Sequence, residues 1–211
     1  MPGYSIDDLR AEWRRTRLID AVRDNYTETA LDLLKDKKYV KDVVNMIDDD
    51  GATSLILACK NGNSIIAKRL LKNNAWVNTK DKYGQSSLIY ASRNGYKNTV
   101  SLLINNGADV NTHNIHGWTP LMLASKSGHI EVVERLLENG ANVNIKNEHN
   151  QTALMVSKLN CRPLIITIRR AEIIEETFMT SLIIKKGCSK DNKPLLPYAH
   201  REMIYRIASF F

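Results

Sequence analysis

A step of 33 residues runs through the middle of the chain and leaves few folds open to it. Gly51, Gly84 and Gly117 are spaced by that step, and the next one lands on Asn150. Leu55, Leu88, Leu121 and Leu154 share the offset, as do Ala58, Ala91, Ala124 and then Ser157. Gly62, Gly95 and Gly128 repeat it, and so do Asn78, Asn111 and Asn144. Independent columns on one period describe a stacked array, whose units cannot bury their apolar faces alone.

Each column has a physical reason. Thr53 and Thr119 suit the N-cap of a first helix, and Pro120 suits its first turn, where no helical N–H is lost. Ala58, Ala91 and Ala124 are small where two helices must approach closely. Gly62, Gly95 and Gly128 can end that helix in a left-handed residue. The pairs Leu70-Leu71, Leu102-Leu103 and Leu136-Leu137, with Ile66, Val100 and Val133 ahead of them, predict the apolar stripe of a second helix.

The clearest unit reads Gly117-Trp-Thr-Pro-Leu-Met-Leu-Ala124, Gly128-His-Ile-Glu-Val-Val-Glu-Arg-Leu-Leu137, Gly140-Ala-Asn-Val-Asn144. It resembles the ankyrin repeat, a β-turn followed by two short antiparallel helices. The unit from Gly84 to Asn111 matches closely, and the one from Asp48 to Asn78 places Asn74 where the others have a late glycine. The resemblance covers roughly residues 18–157. The expected fold is an all-α ankyrin-repeat solenoid of about five helix-turn-helix units, with short β-turn hairpin tips and atypical capping repeats.

Three regions are expected. Residues 1–47 form an N-terminal helical capping repeat, with Leu18–Ala21 and Asn25–Leu34 keeping the two-helix pattern and Lys35–Asp42 read as a lengthened link. Its charged faces (Arg10, Glu12, Arg14, Arg15 and Arg17) suit a solvent-facing end. Residues 48–157 hold three full repeats and the start of a fourth. Residues 158–211 hold the divergent remainder, with an insertion around Pro163–Ile184 and a closing amphipathic helix at 200–211.

Composition bounds the function classes. A chain of 211 residues buries about 70% of its unfolded surface without needing disulfides. Cys59, Cys161 and Cys188 are too scattered for a disulfide framework or a CxxC zinc site. No apolar run reaches the roughly 18–20 residues of a membrane helix, and Met1–Leu9 does not read as a secretory signal. A soluble protein of a reducing compartment is expected, cytoplasmic or nuclear, with no membrane partner.

The net charge of +7 is uneven: residues 1–47 are balanced, 48–157 carry +2 and 158–211 carry +5. Arg162, Arg169, Arg170, Lys185, Lys186, Lys190 and Lys193 supply the last excess, interrupted by Glu172, Glu175 and Glu176. Nucleic acid or anionic lipid would be one use of that stretch, but no stacking aromatics are interleaved, and a solvated cap or partner-specific docking surface is the alternative. Leu196-Pro197, Glu202-Met-Ile and Phe210-Phe211 resemble the start of the F-box-like helix motif with which some ankyrin proteins recruit a ubiquitin ligase. The aliphatic Pro163–Ile184 segment could instead drive self-association; a monomer is expected.

Neither GxxxxGK nor GxGxxG occurs, and no catalytic group is legible, so the chain reads as non-enzymatic, without cofactor, metal or small-molecule substrate. His113 and His116 are spaced as a metal pair could be, but flank a turn with no third ligand nearby. His129 reads as structural, and Cys59 as an inert buried thiol.

In ankyrin solenoids the hairpin tips and first helices line a concave groove that binds a protein or peptide, and the resemblance implies the same partner class here. These columns are where the units disagree. At the tips they hold Asp50, Lys82, Tyr83, Gln85, Ile115, His116, Trp118 and His149; on the first helices they hold Lys60, Arg93 and Lys126. Tyr83 and Trp118 read either as interface anchors or as shields over a neighbouring hairpin. Arg93 could reach a partner carboxylate or merely face solvent. Trp76, in a column otherwise held by Asp109 and Asn142, reads as a second contact point or as packed on the Lys72 stem.

Overall fold

The computed structural model describes residues 17–163, 165 and 166. The expected insertion beyond Pro163, the closing helix at 200–211, the F-box-like residues and the basic side chains from Arg169 onward lie outside them, as do Arg10 to Arg15.

Helices follow one another in pairs. Residues 17–23 form α1, followed by α2 (Thr27–Leu33), α3 (Lys37–Val43), α4 (Ser54–Lys60) and α5 (Ser64–Lys72). Then come α6 (Ser87–Arg93), α7 (Lys97–Asn105), α8 (Pro120–Ser127), α9 (Ile130–Glu138) and α10 (Ala153–Val156). Among the described residues β-structure is confined to two isolated antiparallel bridges, Ile47 with Thr53 and Lys80 with Ser86, at the necks of two hairpins.

Capping explains where the first helices begin. Thr53, Ser86 and Thr119 have extended backbones, and their hydroxyls accept the N–H groups of Ile56, Ile89 and Met122 at 3.3, 3.3 and 3.2 Å. Pro120 occupies the first turn of α8. The fourth unit departs here: the Thr152 hydroxyl makes no capping bond, and α10 ends after four residues on the extended Ser157.

α4 packs on α6, α6 on α8 and α8 on α10, while α5, α7 and α9 form a second layer. Ala58, Ala91 and Ala124 are fully buried, as small side chains between close helices should be. The expected second-helix stripe is buried, Ile66, Val100 and Val133 fully so, and Leu71 and Leu102 pack half-buried beside it. Its fully buried column is Leu70, Leu103 and Leu136, preceded by Ala67, Val100 and Val133, so Leu102 and Ile66 belong to neighbouring columns. A strict 33-residue step, rather than adjacency of leucines, decides which side chain meets the next repeat.

The segment Lys35–Asp42 is not a plain link. Most of it belongs to α3, whose Val40 and Val43, with Val44 just past its end, are buried at a spacing of i, i+3 and i+4. The first unit is nevertheless a true repeat, because Asn45 performs the task that Asn78 and Asn111 perform later. Each amide oxygen accepts a backbone N–H of the next unit, from Trp76, Asp109 and Asn142, at 2.7, 2.9 and 2.8 Å. Each amide nitrogen donates to the carbonyl of Asn74, Gly107 or Gly140 at 3.1–3.2 Å. Asn74 holds φ +62° where the later units have glycine, confirming it as the left-handed residue after the second helix.

Candidate functional site

The hairpin tips are shaped by a column of Asp48, Asp81, Asn114 and Asn147. In each, one side-chain oxygen accepts the backbone N–H groups two and four residues on: Asp50 and Ala52, Tyr83 and Gln85, His116 and Trp118, His149 and Gln151. These bonds are 2.8–3.0 Å long. A β-turn closes over each, with the N–H of Gly51, Gly84, Gly117 or Asn150 on the carbonyl three residues back. Neighbouring tips are then tied backbone to backbone: Lys82 N–H to Asp50 O, Ile115 N–H to Tyr83 O, and Glu148 N–H to His116 O. The result is a ridge of turns whose backbone groups are paired before any partner arrives.

Side chains along the ridge pair across repeats. Lys82 pairs with Asp50, and its ammonium lies 5.2 Å from the Tyr83 ring centre. Lys82 holds the Asp50 carboxyl below its ordinary range, and the more distant Lys60 adds to the effect. Tyr83 remains 48% exposed and Ile115 62% exposed. Glu148 lies between two histidines, 2.9 Å from His116 Nδ1 and 3.4 Å from His149 Nε2. His116 thus directs a ring nitrogen at a carboxylate, and His113 contributes only its backbone carbonyl, to Lys80. No group of three metal-ligating side chains gathers among the described residues.

One tip residue is not on this surface. Gln85, expected beside Tyr83, is only 7% exposed. It follows the turn, where the chain re-enters the stack and its N–H is bound to Asp81, so its side chain faces inward. Trp118 stands in the same column. Its larger ring is half-buried against the core, and the Lys126 ammonium lies 4.5 Å from its centre.

On the first helices Lys60, Arg93 and Lys126 are exposed. The Lys60 ammonium lies 5.7 Å from the centre of Tyr90. Tyr90 is a residue that sequence reasoning misses: its hydroxyl donates to Asp81 Oδ2 at 2.8 Å and joins the helix to the tip. Burial, then that hydrogen bond to a carboxylate, raises the Tyr90 phenol well above its ordinary range. Its column holds Leu57 and Leu123 in the flanking repeats, so an apolar position gives no sign of a polar role.

Other singled-out residues are absorbed by the scaffold. His129 Nε2 donates to the Arg93 carbonyl, 3.0 Å away, and its ring closes over Gly95, where a Cβ would lie 2.5 Å from it. Trp76 is 67% exposed on the connection after α5, away from the tips. Cys59 is fully buried, and burial pushes its thiol up to about 12. The raised thiol fixes the sign of a pH effect. Its stabilising contribution is complete below about pH 9 and is lost as pH rises towards 12, because only the unfolded chain ionises freely there. Melting temperature should therefore fall over that range, and less steeply in Cys59→Ala; equal slopes would contradict this.

No helix among the described residues is long and apolar enough to cross a membrane. Comparison with curated proteins gives no match. Two family descriptions match the chain: ankyrin repeats (3 copies) over residues 18–114, and ankyrin repeats (many copies) over residues 103–155. Repeat period, capped helix pairs, tied hairpin tips and these matches agree, and the chain belongs to the ankyrin-repeat family, whose repeats generally mediate protein–protein interaction.

Proposed function

We propose that this chain is a non-enzymatic adaptor, and that it holds a protein or peptide against the groove between its hairpin tips and first helices. The observation that carries the reading is the division of labour between columns. Side chains of the Asp48, Asn45 and Leu70 columns are spent on the stack, whereas Tyr83, Ile115, Lys60, Arg93 and Lys126 project from it. Binding by such a face works through preorganisation. The turns and their cross-repeat bonds are formed on folding, so little backbone entropy is lost on association. Tyr83 and Trp118 act as anchors, each already oriented by a lysine on its ring.

The test is affinity capture from nuclease-treated cell lysate, read by mass spectrometry, comparing the native chain with Tyr83→Ala/Trp118→Ala. Both proteins should show the same helical content. The expected result is selective loss of a protein partner, its affinity falling at least tenfold for each ring removed. Survival of every partner on the variant would refute the groove assignment. Capture that vanished with nuclease, or fell about 10³-fold between 50 and 200 mM salt, would point to nucleic acid instead.

A further inference from the structure

The last turns of the first helices carry a cation in one column: Lys60 in α4, Arg93 in α6 and Lys126 in α8, each 33 residues from the next. Consecutive helices pack directly, and packed helix axes lie about 8–10 Å apart, so the three charges form a row with roughly that spacing. Lys60 stands over Tyr90 and Lys126 over Trp118, while Arg93 lies close enough to Tyr90 to act on its phenol.

No ion pair among the described residues neutralises this row, although Asp50 feels Lys60 from a distance. The nearby carboxylates are committed elsewhere: Asp50 to Lys82, Asp81 to two backbone N–H groups and Tyr90, and Glu148 to His116. No carboxylate among the described residues pairs with Lys60, Arg93 or Lys126. The helix dipole favours a cation in a last turn, but it does not choose a column. In the second helices the same field acts on α5, α7 and α9, yet α7 ends with no basic residue and the others do not form a continuous row.

We infer that the Lys60–Arg93–Lys126 row docks an acidic segment of a protein partner, one carboxylate to each cation. This rests on the tip and first-helix face being the binding surface. A spacing of about 10 Å along one face is met by every third residue of a polyproline II-like extended segment, or by every seventh of a helix. A phosphate backbone fits the surface less well. Lysine ammonium groups already cover the Tyr90 and Trp118 rings on which bases would stack, and Asp50 and Glu148 on the tip ridge would repel phosphates.

Fluorescence anisotropy of the full chain tests this with three labelled probes: an extended peptide carrying glutamate at every third position, the same peptide with glutamine, and single-stranded oligothymidine. Arg93→Glu should weaken glutamate-peptide binding about tenfold or more. Lys68→Glu, on an exposed residue of α5, makes the same change in net charge and should leave it unchanged. Absent binding of the glutamate peptide, equal binding of the glutamine peptide, tighter binding of oligothymidine or equal effects of the two variants would each overturn the inference. Captured partners separate its failure from that of the surface itself. A partner lost by Tyr83→Ala/Trp118→Ala but kept by Arg93→Glu removes only the acidic-segment inference; one kept by both removes the surface as well.

Discussion

Gly84→Ala is expected to lower the melting temperature by about 6–12 °C, from a destabilisation of about 3 kcal/mol. Two costs combine. Gly84 holds φ +70° at the tip turn, a conformation that penalises any Cβ. A Cβ there would also lie 2.8 Å from the backbone nitrogen of Ile115 and 3.1 Å from the Asn114 backbone. Those atoms belong to the next tip, which cannot retreat without breaking the Ile115 N–H bond to Tyr83 O. Gly107→Ala separates the costs, because Gly107 has φ +83° but nothing within 4 Å of the place a methyl would take. It should lose only the strain, about 1 kcal/mol. Equal melting temperatures for the two variants would mean that contact between tips contributes nothing.

Leu103→Ala should cost about 2–5 kcal/mol, measured by denaturant unfolding. Leu103 is fully buried in α7, with Leu70 and Leu136 in the same column of the units on either side. The cavity would therefore be walled by two repeats, and collapse on one side would open a gap on the other. Stability of a stack depends on its nearest-neighbour interfaces, so this variant weakens two of them together. Helicity and tryptophan fluorescence should then report different midpoints. Ile115→Ala, at an exposed tip position, should stay within about 0.5 kcal/mol of the native chain. A comparable loss there would show that the tip side chains stabilise the stack rather than remain available to a partner.

How much of this is legible in the sequence depends on whether a role recurs with the repeat. Thr53, Thr119, Asn74 and the buried alanines can be placed because the same local sequence solves the same local problem in every unit. The Asp48, Asp81, Asn114 and Asn147 column is equally periodic, yet its role is hidden. Polar residues in a turn look generic until one oxygen is seen accepting two backbone N–H groups. Gln85 misleads for the opposite reason. Variation at its column suggests exposure, yet that column turns inward behind the tip and accommodates Ala52, Gln85 and the partly emergent Trp118.

Pairings between repeats are beyond sequence altogether. Asp50 and Lys82, or His116 and Glu148, are 32 residues apart and meet only because tips stack in register. α3 is legible in principle, since Val40, Val43 and Val44 carry a helical period. Alignment to the 33-residue step leaves no slot for a helix there, and the stronger pattern conceals the weaker one.

The most direct measurement of the central claim is amide hydrogen exchange on the chain alone and in complex with its captured partner. New protection is expected at residues 82–85 and 115–118 and along α4, α6 and α8, with the Trp76 connection and α5, α7 and α9 unchanged. Protection concentrated around Trp76 or on the second helices, with the tips exchanging as in the free chain, would contradict it.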